Sequence, residues 1–260
     1  MLDRILAHKL QEVERRRAER SLEDVRQAAL GYSPRGDFAE RLRADGVQVI
    51  AELKRVSPSR GVLREGVDAA SWVREYVAGG ATAVSVLTDE RFFGGSDADL
   101  VAVRAVVDVP ILRKDFVLDA YQVWEARSLG ADVVLLIAAA LGGERLGVLL
   151  DVVREAGMEA LVEVHTEEEL RWAVEAGAAV VGINNRDLHT FAVSIETTRR
   201  LLPLVPPGVV VVSESGVGGP DDVRRLRSWG VDGVLVGETL MRAADPCRLV
   251  RELVEAGSGR

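Results

Sequence analysis

In residues 128–137, SLGADVVLLI, a helical stretch closes on Gly130, and after one small residue and an aspartate an unbroken run of Val, Leu and Ile begins. A glycine just past a helix end takes the left-handed conformation that terminates the helix. The run that follows scarcely alternates between apolar and polar, as in a parallel strand buried on both faces. The same events recur on either side: AGGATAVSVLT at 78–88, EAGMEALVEV at 155–164, EAGAAVVGIN at 175–184 and SWGVDGVLVG at 228–237. Strands are expected near Val47–Leu53, Ala83–Leu87, Val109–Lys114, Asp132–Ile137, Glu159–Val164, Val180–Asn184, Val209–Ser213 and Gly233–Gly237. Helical patterns lie between them. One begins at Thr166, whose T-x-x-E spacing to Glu169 reads as a capping box. Another begins at Pro220, with Asp221 and Asp222 in its first turn.

Eight strands alternating with helices make an α/β fold. That number, in 260 residues, favours a single closed (β/α)8 barrel over an open doubly wound sheet. No G-x-G-x-x-G follows the first strand, which weakens a dinucleotide-binding reading further. Residues 1–45 precede the first strand and read as a helical extension with an apolar stripe of Leu2, Ile5, Leu6, Leu10 and Val13. It either packs against the barrel, residues 46–260, or lids one of its mouths.

Composition excludes several functions. A net charge of -8 argues against a nucleic-acid or anionic-membrane binder, since those carry a basic face. Cys247 is the only cysteine, so neither an intrachain disulfide nor a thiolate metal cluster is expected. His8, His165 and His189 are scattered without metal-ligand spacing, and no metal is expected. The start, MLDRILAHKLQEVERRR, is charged and amphipathic, unlike a secretory signal. The longest apolar run, near Val133 to Leu141, is too short to span a membrane. A cytoplasmic protein is expected.

Lysine is the compositional anomaly. Of thirty-three basic residues only Lys9, Lys54 and Lys114 are lysine. Arginine stays charged under ordinary conditions, whereas a lysine can release a proton when its surroundings lower its pKa. Lys54 and Lys114 end apolar strands. Lys9 carries no assigned chemistry, and a surface lysine that merely escaped replacement is an equal reading.

Residues two apart in a strand face the same way, so Glu52 and Lys54 share the mouth at their strand's C-terminal end, where such barrels place their sites. Lys114, Glu163, Asn184 and Glu214 with Ser215 end their strands likewise. Two lysines and two or three glutamates in one partly dry pocket are costly unless paired or functional. Arg113 and Asp115 have the opposite parity and are expected in a structural pair or on a solvated surface. SESGVGGPDD at 213–222 and LVGETLMR at 235–242 follow the last two strands. Their Gly216 and Gly237 suit a phosphate grip, with Ser57 closing a third side. Glu238 must then turn its carboxylate away and lend only its backbone N–H.

The ordered motifs ELKRVSPSRG, SVLTDERFFGGS, ILRKDF, LVEVH, GINNRDL, SESGV and LVGETLM run through nearly the whole chain. Together they resemble the indole-3-glycerol-phosphate synthase family of tryptophan biosynthesis. The resemblance implies ring closure, decarboxylation and dehydration of 1-(2-carboxyphenylamino)-1-deoxyribulose 5-phosphate, without a cofactor and in a monomer. It implies that Lys114 protonates the carbonyl oxygen and that Glu163 acts as base and stabilises the cationic intermediate. Lys54 would hold the substrate carboxylate, with dehydration acid as an alternative role, and Glu52 would neutralise the lysines and handle a late proton. Asn184 and Arg186 would bind carboxylate and hydroxyls, with Glu214 and Ser215 also against the substrate. Phe93, Phe116 and Leu135 or its neighbour would enclose the aromatic ring. Ser57, Gly216, Gly237 and the Glu238 backbone would hold phosphate. A phosphoribosyl-anthranilate isomerase is the nearest enzymatic rival, but its chemistry favours a cysteine–aspartate pair on the strands, and Cys247 falls in a late helical stretch. A non-catalytic sugar-phosphate-binding barrel could keep the glycine loops without the lysines and glutamates.

Overall fold

The computed structural model describes residues 2–58, 60–187 and 192–259. His189 and Leu188, the last residue of the GINNRDL motif, lie outside the described residues. Eight strands close into one parallel barrel: β1 Gln48–Leu53, β2 Ala83–Leu87, β3 Ile111–Lys114, β4 Val133–Ile137, β5 Glu159–Val164, β6 Val180–Asn184, β7 Val210–Glu214 and β8 Gly233–Val236. Each pairs with the next, and β8 pairs with β1. All five glycines of the repeated unit have positive φ, from +63° at Gly157 to +100° at Gly80.

Six strand ends shift by one or two residues from expectation, and two of the shifts have a clear physical reason. β3 starts at Ile111, after Pro110, which has no N–H to give to a ladder. β7 runs on to Glu214, which pairs with Asn184 in β6 and Leu235 in β8. A polar side chain was expected to stop this strand, but neighbours on both sides hold the backbone of Glu214 in the sheet. The Thr166 cap is also half as expected. Its hydroxyl accepts from the Glu169 N–H, but the Glu169 carboxylate accepts from the backbone N–H of His165, one residue earlier.

Strand parity divides the core in two. Ile50, Leu112, Leu135, Leu161, Val212 and Leu235 fill the barrel interior. The alternate residues, such as Val49, Val134 and Val162, pack outward against the helices. Three helices precede β1: α1 Leu2–Glu19, α2 Leu22–Ala29 and α3 Phe38–Leu42. The short α3 closes the N-terminal end of the barrel. Its Phe38 and Leu42 join the interior cluster, and Glu159 of β5 accepts from the N–H groups of Phe38 and Ala39 at 2.6 and 3.0 Å. A carboxylate there satisfies the unpaired donors that begin a helix.

Helix α1 lies at the opposite end: Leu2 and Ile5 line the barrel's mouth, and further along the helix charged side chains are tied to the barrel. Lys9 is buried, at 1% exposure, with its ammonium 3.0 Å from Glu12, 3.0 Å from Asp89 and 2.9 Å from Asp115. Arg16 reaches Asp97 and Glu125 at 2.5 and 3.0 Å. Arg113 meets the same two carboxylates at 3.0 and 2.9 Å. The reading of Lys9 as a surface lysine is therefore wrong. Arg113 and Asp115 are structural, as their parity predicts, but they form a buried network and no solvated surface. No helix among the described residues is long and apolar enough to cross a membrane.

Candidate active site

The C-terminal ends of the strands open into a cavity of about 550 Å³. Glu52, Lys54, Lys114, Glu163, Asn184 and Glu214 reach it because each lies an even number of residues from an interior core position on its own strand.

Lys114 is the hub. Its Nζ is 3.0 Å from Glu163 Oε2 and 2.5 Å from Glu214 Oε2. Gly182 of β6 makes room for the second partner, since a Cβ there would coincide with Oε1 of Glu214. Burial by itself would lower the Lys114 pKa, but Glu214, Glu163 and Glu52 override it and hold the ammonium above its ordinary range. The premise that a lowered lysine pKa marks the site fails for Lys114, because three carboxylates outweigh desolvation.

The carboxylates around Lys114 are unequal. Burial opposes ionisation of Glu163, but Lys114 and His165 overcome it and hold Glu163 low, at about 2. Burial, Glu163 and Glu52 together outweigh Lys114 at Glu214, whose pKa is pushed up to about 7. One cation cannot fully compensate two adjacent carboxylates, so one of them keeps a proton to higher pH.

This asymmetry makes a pH prediction. Between the ordinary carboxylate pKa and about 7, native Glu214 retains a proton that the unfolded chain has released. The stability this contributes is complete below the unfolded pKa and is lost as pH rises through the folded one. Glu214→Gln does not titrate, so its melting temperature relative to the parent is expected to rise steadily from pH 5 to pH 8. A flat difference across that range, measured by thermal unfolding, would contradict the raised pKa.

Lys54, two strands round the barrel from Lys114, has its Nζ 2.8 Å from Glu52 Oε1. Gly237 serves this pair as Gly182 serves Glu214: a Cβ at Gly237 would overlap the Glu52 carboxylate. Phe93 and Phe116 stand on the apolar side, ring centroids 6.0 Å apart and tilted by 40°. Leu2, Ile5, Leu87, Leu135 and Ile137 extend that side.

The remaining wall is made of loop backbone. Ser215 has φ +63° and Gly216 φ +87°, so the chain leaves β7 through two successive residues of positive φ. Gly216 is also tightly packed, since a Cβ would come within 2.9 Å of Val193. Helix α4, Glu238–Arg242, starts directly after Gly237. The Glu238 carboxylate does not turn away from the cavity as expected. It lies 3.4 Å from Arg242, 3.6 Å from Arg60 and 4.0 Å from Arg186. All three arginines line the cavity, and they offset the repulsion that made this carboxylate awkward.

Every residue assigned to the site from the sequence lines this one cavity: beside Glu52, Lys54, Lys114, Glu163 and Glu214 these are Ser57, Phe93, Phe116, Leu135, Asn184, Arg186, Ser215, Gly216, Gly237 and Glu238. Cys247 is on α5, Pro246–Ser258, and is not among the lining residues. Sequence reasoning missed Arg60 and Arg242, which sit in ordinary loop and helix contexts. It also missed His165, whose Nε2 lies 3.6 Å from Glu163 and whose Nδ1 lies 3.1 Å from Glu169. Burial would lower the His165 pKa, but Glu169 and Glu163 raise it. Its spacing of two from Glu163 was the available signal.

Comparison with known proteins places this cavity in context. The sequence model of the family described as indole-3-glycerol phosphate synthase matches residues 2–253. An indole-3-glycerol phosphate synthase of Roseiflexus sp. (strain RS-1) is 50% identical, with 97% of each chain covered. One from Kineococcus radiotolerans is 51% identical, covering 99% of this chain and 96% of its own. Among solved structures, 3-hexulose-6-phosphate synthase from Salmonella typhimurium matches at TM-score 0.64 and 17% identity, covering 81% of this chain and 98% of its own. Thiamine phosphate pyrophosphorylase from Pyrococcus furiosus matches at TM-score 0.62 and 21% identity, covering 84% and 96%. At those identities the solved structures share the fold alone.

Proposed function

The chain belongs to the indole-3-glycerol phosphate synthase family, and from that premise we infer how its cavity carries out the reaction of this carboxy-lyase of tryptophan biosynthesis. The substrate, 1-(2-carboxyphenylamino)-1-deoxyribulose 5-phosphate, has an aromatic carboxylate at one end and a phosphate at the other. The observation that carries the reading is Lys114 held between Glu163 and Glu214 in the same mouth as the Lys54–Glu52 pair.

The aromatic ring lies against Phe93 and Phe116, with Leu135 beneath. The phosphate lies against Ser57, Gly216, Gly237 and the start of α4, with Arg60 and Arg186 supplying positive charge. Lys54 holds the aromatic carboxylate, and Asn184 shares the hydroxyls. In this pose the ring carbon bearing the carboxylate attacks the ketone carbon, and the carbonyl oxygen takes a proton from Lys114. A raised lysine pKa does not prevent this, because the developing alkoxide is far more basic than an amine. An arginine there could stabilise the oxyanion but could not usefully supply the proton. Glu163, held ionised, stabilises the cationic ring that results. Loss of carbon dioxide restores aromaticity and leaves a hydroxyl next to a C–H. Dehydration then needs an acid for the departing hydroxyl and a base for the proton; Lys54 and Glu52 stand ready as that pair.

Purified protein given this substrate is expected to generate indole fluorescence. A folded sample that binds phosphate but shows no turnover would sink the assignment and leave a sugar-phosphate-binding barrel.

A further inference from the structure

Asn185 stands between two cavity residues, Asn184 and Arg186, but its own side chain is buried behind the wall at 2% exposure. Every polar atom of its side chain is engaged. Nδ2 donates to Ser213 Oγ at 2.9 Å and to the Ser215 carbonyl at 3.0 Å. Oδ1 accepts from the Thr198 N–H at 3.0 Å and from the Thr198 hydroxyl at 2.9 Å. The Asn185 backbone N–H donates to the Glu214 carbonyl at 2.9 Å, and its carbonyl accepts from Ser194. One residue of the β6 exit thus grips residues 213, 214 and 215 in succession.

The grip ends on an unusual residue. Ser215 is the only non-glycine residue with positive φ among those described. A side chain bearing a Cβ resists that conformation, and such residues persist where their surroundings over-determine them. Burial amplifies the effect, because a carbonyl or amide left unpaired behind the wall is costly.

We propose that Asn185 is a positioning residue for the phosphate subsite: by bonding the Ser215 carbonyl it holds Ser215 in the left-handed region and so presents Gly216 to the anion. This rests on the reading of Gly216 as part of the phosphate grip. An aspartate would keep the two acceptor bonds to Thr198 and could accept from the Ser213 hydroxyl, but it could not donate to the Ser215 carbonyl, so the amide is required for that one bond. Asn184, its neighbour in sequence, points the other way into the cavity and does the chemical contact.

The test uses the full-length enzyme with inorganic phosphate as the probe, read as competitive inhibition alongside KM and kcat. Asn185→Ala is expected to weaken phosphate binding and raise KM at least about tenfold, with kcat changed by no more than about threefold. Adding Ser215→Gly removes the conformational resistance and is expected to restore most of the lost phosphate affinity. Thr198→Val cuts the same network away from Ser215; it is expected to lower the melting temperature but leave phosphate affinity within about twofold. If Asn185→Ala does not fold, Asn185→Ser takes its place with the same expectations. Unchanged phosphate affinity in the Asn185 variant, or no rescue by Ser215→Gly, overturns the assignment. Equal losses in the Thr198 and Asn185 variants also overturn it, by showing a general stability effect. Absence of phosphate inhibition in the parent would instead overturn the phosphate subsite itself, and this proposal with it.

Discussion

Lys114→Met is expected to lower turnover at least about a hundredfold while phosphate affinity is largely kept. Lys114 is the one cation shared by Glu163 and Glu214, while Lys54 is paired separately with Glu52. Its removal takes away the proton donor and the counter-charge together. Glu163 and Glu214 then face each other without a cation and must share a proton, so Glu163 also loses its held ionisation. The phosphate wall, built from backbone and arginines, does not depend on Lys114. Lys114→Arg separates the two losses. It keeps a positive charge between the carboxylates but offers no usable proton, and severe loss of turnover is expected again. Steady-state kinetics with phosphate inhibition measures both quantities. Turnover near the parent's in the methionine variant would refute the role of Lys114, and in the arginine variant would show that only its charge matters.

The second large effect falls outside the cavity. Lys9→Met is expected to destabilise the protein by about 3–5 kcal/mol, because it strips the cation from the buried Asp89 and Asp115. For a chain of this size that is a melting temperature lower by at least about 6 °C. Burial opposes ionisation of Asp115, and Lys9 and Arg113 overcome it to hold its pKa below the ordinary range. Asp115→Asn, added to the first variant, is expected to recover part of the loss, since it removes a charge left without its partner. A single variant that melts within about 2 °C of the parent would show that α1 is held by its apolar stripe and not by this ion cluster. Because Leu2 and Ile5 of the same helix line the cavity, loosening α1 also raises KM, which the same preparation can report.

Strand-end chemistry was readable because barrel geometry is periodic. Two-residue parity assigns Glu52, Lys54, Lys114 and Glu163 to one mouth without any knowledge of contacts. The glycines that end each helix mark where the next strand begins. Partnerships were a different matter. Parity puts Glu163 in the same mouth as Lys114, but nothing local shows that Glu214, a hundred residues away, shares the same ammonium. That contact needs the empty volume at Gly182, and a glycine in a buried strand looks the same in sequence whether or not a carboxylate fills its place. Glu238 shows the same limit: its charge was legible, the three arginines around it were not.

The order of helices and strands, the barrel, the mouth that holds the site and most of the residues lining it were determined by the sequence alone, because local periodicity and capping act within a few residues. Tertiary structure decided which charges meet, and with them the protonation of the site. Lys114 is held charged instead of poised to lose a proton, Glu214 keeps one towards neutrality, and Lys9, which sequence could leave on the surface, is locked inside. Desolvation and Coulomb attraction depend on burial and on distances of a few ångströms between residues far apart in the chain, and only the closed barrel sets those.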